Sequence, residues 1–161
     1  MNSQLLRQRL IDTGLADSES IRGCSLDEVS QIEQAAQRSL PASYADFMSQ
    51  FGKRAGRFLR DVDIFFPEVL SLHSVALDIL KDNEDDELLL PQCTLVFAVR
   101  NKEQFLCFFG DGDNPSVKYY MSGDPGFSTV AQTFWDFIAD ELCLCEENYR
   151  KIKNTPYDLR F

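Results

Sequence analysis

Thr94-Leu95-Val96-Phe97-Ala98-Val99, Gln104-Phe105-Leu106-Cys107-Phe108-Phe109 and Ser116-Val117-Lys118-Tyr119-Tyr120-Met121 are three short runs, largely apolar, set apart by Arg100-Asn101-Lys102-Glu103 and Gly110-Asp111-Gly112-Asp113-Asn114-Pro115. Runs of this length, rich in β-branched and aromatic residues and punctuated by turn formers, predict a strand meander over residues 94–121. In the middle run both alternate sets are apolar: Phe105, Cys107 and Phe109 on one side, Leu106 and Phe108 on the other. Neither side suits water, so this strand is expected at the centre of the sheet with both faces covered. The third run alternates Val117, Tyr119 and Met121 against Lys118 and Tyr120, which places it nearer an edge or a partly open face.

Helices are expected on both flanks of the meander. Leu5, Leu6, Leu10 and Ile11 recur at helical spacing before Gly14, a glycine-capped first helix. Ser25-Leu26-Asp27-Glu28 matches a capping box and opens a helix to about Arg38, with Leu26, Val29, Ile32 and Ala36 turned inward. Pro41 opens the next helix and Gly52 closes it; Tyr44, Phe47, Met48 and Phe51 share one arc of it and read as core. Residues 61–66 alternate polar and apolar, predicting a strand that ends at Pro67, and residues 68–80 return to helical spacing with His73 off the apolar stripe. After the meander, Thr129-Val130-Ala131-Gln132 reads as a second capping box. The helix behind it sets Val130, Phe134, Phe137, Ile138, Leu142 and Cys145 on one side. Glu141 falls inside that arc, which means either a paired buried carboxylate or a helix that has left the core there, and the second is the favoured reading. Residues 146–161 form a tail to which the sequence assigns no structure.

The expected fold is therefore α+β: one domain over residues 1–161, with a mainly antiparallel or mixed sheet flanked by helices. The 44% hydrophobic content and 13 phenylalanines supply a core. No run of about 18 apolar residues offers a membrane span, and the opening residues lack the layout of a secretory signal, so a cytoplasmic protein is expected. The five cysteines are odd in number, and Cys107 lies in the central strand, which argues against a disulfide scaffold.

A formal charge of −10 excludes unaided nucleic-acid binding and favours a basic partner. Residues 81–161 carry 15 acids against 8 bases, and the densest cluster is Asp82, Glu84, Asp85, Asp86 and Glu87. That much like charge stays at the surface. Together with Asp111 and Asp113 it is the candidate partner-binding set; a solvated loop that only aids solubility is the competing reading. Lys53, Arg54, Arg57 and Arg60 form a cationic loop or edge strand suited to phosphate or an acidic partner, yet in so acidic a chain a solvated face is the favoured reading.

No constellation for catalysis emerges. The Cys and His residues lack zinc-ligand spacing apart from Cys143 and Cys145, which point apart on a regular helix. Cys24, Cys93 or Cys107 with His73 lacks a nucleophile signature. The turn at residues 110–114 lacks the spaced acids and closing glutamate of a calcium loop. Phosphate-binding and nucleotide fingerprints are absent too. No cofactor, metal or catalytic residue is assigned, and an enzyme built on His73 is a minor alternative.

Two stretches resemble a known family. Leu40-Pro41-x-x-Tyr44-x-x-Phe47-Met48-x-x-Phe51-Gly52, preceded by Ile32-Glu33, is similar to a segment of the SUKH superfamily, which includes a yeast cell-wall-assembly regulator. Phe97-Ala98, residues 104–109, Asp111-Gly112-Asp113-Asn114-Pro115, Val117-x-Tyr119-Tyr120 and Phe134-Trp135-Asp136-Phe137-Ile138 resemble bacterial members. The resemblance spans about residues 25–142. Arg100-Asn101-Lys102-Glu103 replaces a His-Gln-Gly-Tyr-like turn, and Phe51-Gly52 lacks the usual asparagine. The resemblance implies an α+β fold and a non-enzymatic immunity protein that binds and neutralises a toxin deployed between bacteria, often a nuclease. An alternative role is a regulatory scaffold of the yeast-regulator type.

Overall fold

The computed structural model describes residues 1–81 and 88–154. Among these residues five helices and six strands follow in the order α1 Ser3–Asp12, β1 Ile21–Arg22, α2 Leu26–Ala36, α3 Ala42–Phe51, β2 Arg54–Ala55, α4 Leu72–Lys81, β3 Leu95–Arg100, β4 Gln104–Phe108, β5 Val117–Met121, β6 Ser128–Ala131 and α5 Phe134–Asn154. A 3-10 turn, Glu68–Ser71, leads into α4. The main sheet is antiparallel with order β3-β4-β5-β6, and β1 and β2 make a separate two-stranded ribbon. The α+β class and the meander expected from the sequence are both present.

β4 lies inside the sheet, as its two-sided apolar pattern requires, with Phe105, Leu106, Cys107 and Phe108 all buried. On one face Phe97 stacks on Phe108 at 4.4 Å, and Tyr44 of α3 and Phe134 of α5 close over them. Phe134 meets Tyr44, Phe47, Phe97 and Phe108 nearly edge-on, an arrangement that adds about 0.5–1.5 kcal/mol per pair beyond area burial. On the other face Phe105 and Tyr120 meet Phe127. α4 lies along β3, and the 3-10 turn packs on α2. The β1–β2 ribbon is pressed onto the end of α3: a Cβ on Gly23 would stand 1.7 Å from the Ser49 carbonyl oxygen, so no other residue fits there.

The helix starts follow the sequence. Ser25 and Glu28 complete the capping box of α2, and Tyr44, Phe47, Met48 and Phe51 of α3 are fully buried. Other details differ. Leu26 is 87% exposed, because it occupies the first residue of α2, beyond the reach of the neighbouring elements. Residues 61–66 do not form a strand; among the described residues they pair with the sheet at one bridge, where Asp63 and Val99 exchange backbone hydrogen bonds at the edge of β3. Ser128–Ala131, where a helix start was expected, is the edge strand β6, so β5 is interior. The helix start is Thr133, whose hydroxyl accepts the N–H of Asp136. Glu141 is not a sign of departure from the core: its carboxylate pairs with Arg100 of β3, and α5 continues inward to Glu146 and onward to Asn154.

Ion pairs hold α5 at two heights. Arg100–Glu141 ties it to the sheet, and Arg9–Glu146, at 2.7 Å, ties it to α1. The Glu146 side chain is only 7% exposed, and its hydrogen bond to Arg9 raises the pKa of that guanidinium. The Tyr44 hydroxyl is fully buried with no hydrogen-bond partner among the described residues, and desolvation pushes its pKa up.

Candidate functional site

The turn from α2 to α3 builds the first wall of a surface groove. Gln37 takes a left-handed conformation (φ 54°) and ends α2, its N–H donating to the Gln34 carbonyl. The chain then doubles back, and the Glu33 carboxylate accepts the N–H of Leu40 at 3.0 Å. This gives the Ile32-Glu33 pair its physical content, since Ile32 is buried in the core while Glu33 caps the following turn.

The sharp reversal turns Arg38 sideways into a clamp. Its guanidinium donates to the Cys93 carbonyl, to the Gly110 carbonyl at 2.9 Å and to the Asp111 carboxylate at 3.0 Å. One side chain thus joins the end of α2, the strap of residues 88–94 and the β4–β5 turn. The turn itself is docked at two further points. The Asp113 carbonyl accepts the N–H of Ser43 at 2.8 Å, and the Asn114 side chain accepts the N–H of Trp135 at 3.3 Å. The Asp-Gly-Asp-Asn-Pro turn is therefore a brace against the starts of α3 and α5. Its carboxylates stay outside: Asp111 and Asp113 are exposed, and the Asp111 side chain is 93% accessible even while paired.

Between the end of α2, α4 and the strap lies a groove of about 640 Å³. Ala36, Leu77, Leu89 and Leu90 give it an apolar lining, and Arg38, His73 and Cys93 stand along it. Leu89 is 79% exposed and Leu77 39% exposed, so water covers leucine surface that the fold leaves unburied. Leu88, Leu89 and Leu90 also lie against Leu77, Leu80 and Lys81, where the chain leaves α4 and rejoins.

The acidic residues singled out in the sequence divide here. Asp111 and Asp113 sit on the docked turn. Asp82, Glu84, Asp85, Asp86 and Glu87 lie outside the described residues; Lys81 and Leu88, which flank them in sequence, line a smaller concavity that shares Leu77, Leu89 and Leu90 with the groove. The strap links the two sets, because Cys93 at its far end shares Arg38 with Asp111. Arg38, Leu77 and Leu89 were not anticipated from the sequence, since nothing local distinguishes them from any helix-end arginine or surface leucine.

His73 and Cys93 both line the groove, and no hydrogen bond joins them among the described residues. Burial pushes the Cys24 thiol up to about 11 and the Cys107 thiol up to about 12, so neither supplies a thiolate near neutral pH. Among the described residues no three His, Cys, Asp or Glu side chains are grouped to hold a metal ion, and no helix is long and apolar enough to cross a membrane.

A model of the SMI1 / KNR4 family (SUKH-1) matches residues 23–140. The match takes in α2 to β6, the groove, the Arg38 clamp and the first third of α5. No curated protein matches the chain.

Proposed function

Because the chain belongs to the SMI1 / KNR4 family (SUKH-1), we propose that it is an immunity protein, binding a toxin domain in the cytoplasm and neutralising it by direct contact. The observation that carries this reading is the groove, whose leucines Leu77 and Leu89 are left exposed by the fold while Arg38 on its wall pairs with Asp111. Interfaces combine an apolar centre with a polar rim, and only the centre contributes most of the affinity. In this reading Leu77, Leu89 and Leu90 supply the centre, Asp111 and Asp113 on the turn held by Arg38 supply acidic charge, and the segment at residues 82–87, outside the described residues, adds charge of the same sign. An acidic rim on a chain of charge −10 suits a basic domain, as a nucleic-acid-cleaving toxin would present.

Co-expression with the toxin encoded beside its gene should rescue growth, and the purified pair should associate. Charge at a rim acts chiefly on the association rate and is screened over about 8 Å at physiological salt. The Asp85→Lys, Asp86→Lys double variant should therefore associate more slowly at low salt, with the difference shrinking at high salt. Equal rates at both salts would remove the acidic segment from the interface. Recovery of the same housekeeping protein from cells with no toxin gene would replace the toxin with an endogenous partner, the regulatory role.

A further inference from the structure

A second concavity, of about 660 Å³, lies between the loop after α1 and the β1–β2 ribbon and shares no lining residue with the groove. Lys53, Arg54, Arg57 and Arg60 line it against one carboxylate, Asp17. Lys53 is already paired with Glu28 at 2.7 Å, whereas Arg54, Arg57 and Arg60 make no ion pair within hydrogen-bonding reach among the described residues. In a chain of charge −10 this is a local reversal of sign.

Two features separate it from a solvated loop. The first is rigidity. Lys53 N–H donates to the Arg22 carbonyl, Gly56 N–H to the Ser20 carbonyl and Arg57 N–H to the Leu15 carbonyl, all within 3.0 Å. Gly56 adopts φ +63° where a Cβ would meet the Leu15 carbonyl and Ala16, so the cationic segment is pinned down along its length. The Arg57 guanidinium is also laid over the Tyr149 ring, 5.4 Å from its centroid. The second feature is repulsion. Arg22 and Arg54 are cross-strand partners in the ribbon, with Ile21 and Ala55 buried on its other face, so two exposed arginines stand directly opposite each other. Like charges so placed are destabilising unless something neutralises them.

We propose that this cleft binds a compact phosphate-bearing anion, a diphosphate or the diphosphate group of a nucleotide. Arginine forks match phosphate oxygens in pairs, and the volume falls in the range of about 300–1,000 Å³ typical of small-ligand sites. The charge of the rest of the molecule decides the size of the ligand. Beyond about 8 Å the field of the cleft is screened, so a long polyanion would run onto the acidic surface, while a ligand of one or two phosphates stays within the positive region. Nucleic acid is thereby disfavoured.

The test is calorimetric titration of the full chain with inorganic pyrophosphate, ADP and a twelve-residue oligothymidylate at low salt. Saturable binding of pyrophosphate or ADP is expected, weakened at least tenfold in the Arg54→Ala, Arg60→Ala double variant. Both side chains are exposed and neither makes a salt bridge among the described residues, so an unchanged unfolding temperature would show that the fold survives. Asp17→Asn keeps the side-chain oxygen that accepts the Ser20 N–H and should tighten binding severalfold. Lys102→Ala, on the β3–β4 turn, should change nothing. Equal affinity for pyrophosphate and ADP identifies the phosphates alone as the recognised group; tighter ADP binding identifies a nucleotide. No saturable binding of either, unchanged binding by the double variant, or tighter binding of the oligonucleotide would overturn the proposal. None of these results bears on the toxin, which is held at the groove.

Discussion

The groove beside α4 and the cleft beside the ribbon are concavities of nearly equal volume, about 640 and 660 Å³, and they are chemical opposites. The groove offers leucine and its one arginine is already committed, whereas the cleft offers arginine with its charge still open. Their provenance differs too. Every residue of the groove falls inside the span matched by the family, residues 23–140. The cleft takes one wall from residues 14–20 and a corner from Tyr149, all outside that span, and the cationic segment with Phe65 from within it. The matched span thus carries the apolar groove, and the terminal elements, folded onto each other through Arg9 and Glu146, add a second concavity of different chemistry.

If that division is real, damage to one concavity should spare the other. The largest effect is expected from Arg9→Ala, which leaves the nearly buried Glu146 carboxylate without its close partner. A hydrogen bond to a charged group is worth about 1.5–3 kcal/mol, and Arg150, 3.8 Å away, offsets part of the loss. Denaturant unfolding should show about 2 kcal/mol of destabilisation. Anion binding at the cleft should weaken with it, while partner affinity at the groove holds; a matching loss at the groove would show that the two regions are one unit.

Arg38→Ala should cost less, about 1–2 kcal/mol, because Asp111 is solvated and the pair is screened. Here the expected pattern reverses, with the toxin complex weakened and pyrophosphate titrations unchanged. The smallest effect on folding is expected from Leu77→Ser with Leu89→Ser, within about 0.5 kcal/mol for surface substitutions. Surface plasmon resonance should nonetheless show at least tenfold weaker partner binding, since exposed leucines cost the monomer little and contribute at the interface. Wild-type affinity in that double variant would detach the groove from the proposed function.

What could be read from the sequence is what depends on neighbours in sequence. The two-sided apolar pattern of β4, the capping box at Ser25 and the aromatic stripe of α3 each follow from spacing within one element, and each is present. The misreadings concern partners far away along the chain. Glu141 looked out of place on the helical wheel because its partner, Arg100, lies 41 positions earlier. Thr129-Val130-Ala131-Gln132 reads as a capping box from its Thr and Gln, and only pairing with β5 makes Ser128–Ala131 a strand. Asp63 joins the sheet through Val99 alone. The candidate site shows the same division. The acidic cluster is visible as composition, but the leucines and the arginine that shape the groove acquire their roles only when α2, α4 and the strap come together.

Arg38 connects residue 38 to residues 93, 110 and 111, separations of 55 to 73 positions. Contacts that close loops of this length gain nothing until the loop entropy has been spent, so they form late on the way to the native state. The clamp is expected on the downhill side of the folding barrier, so Arg38→Ala should speed unfolding and leave the refolding rate unchanged. Its contribution is to the lifetime of the folded state, and through that to how long the strap and the β4–β5 turn stay braced around the groove once the chain has closed.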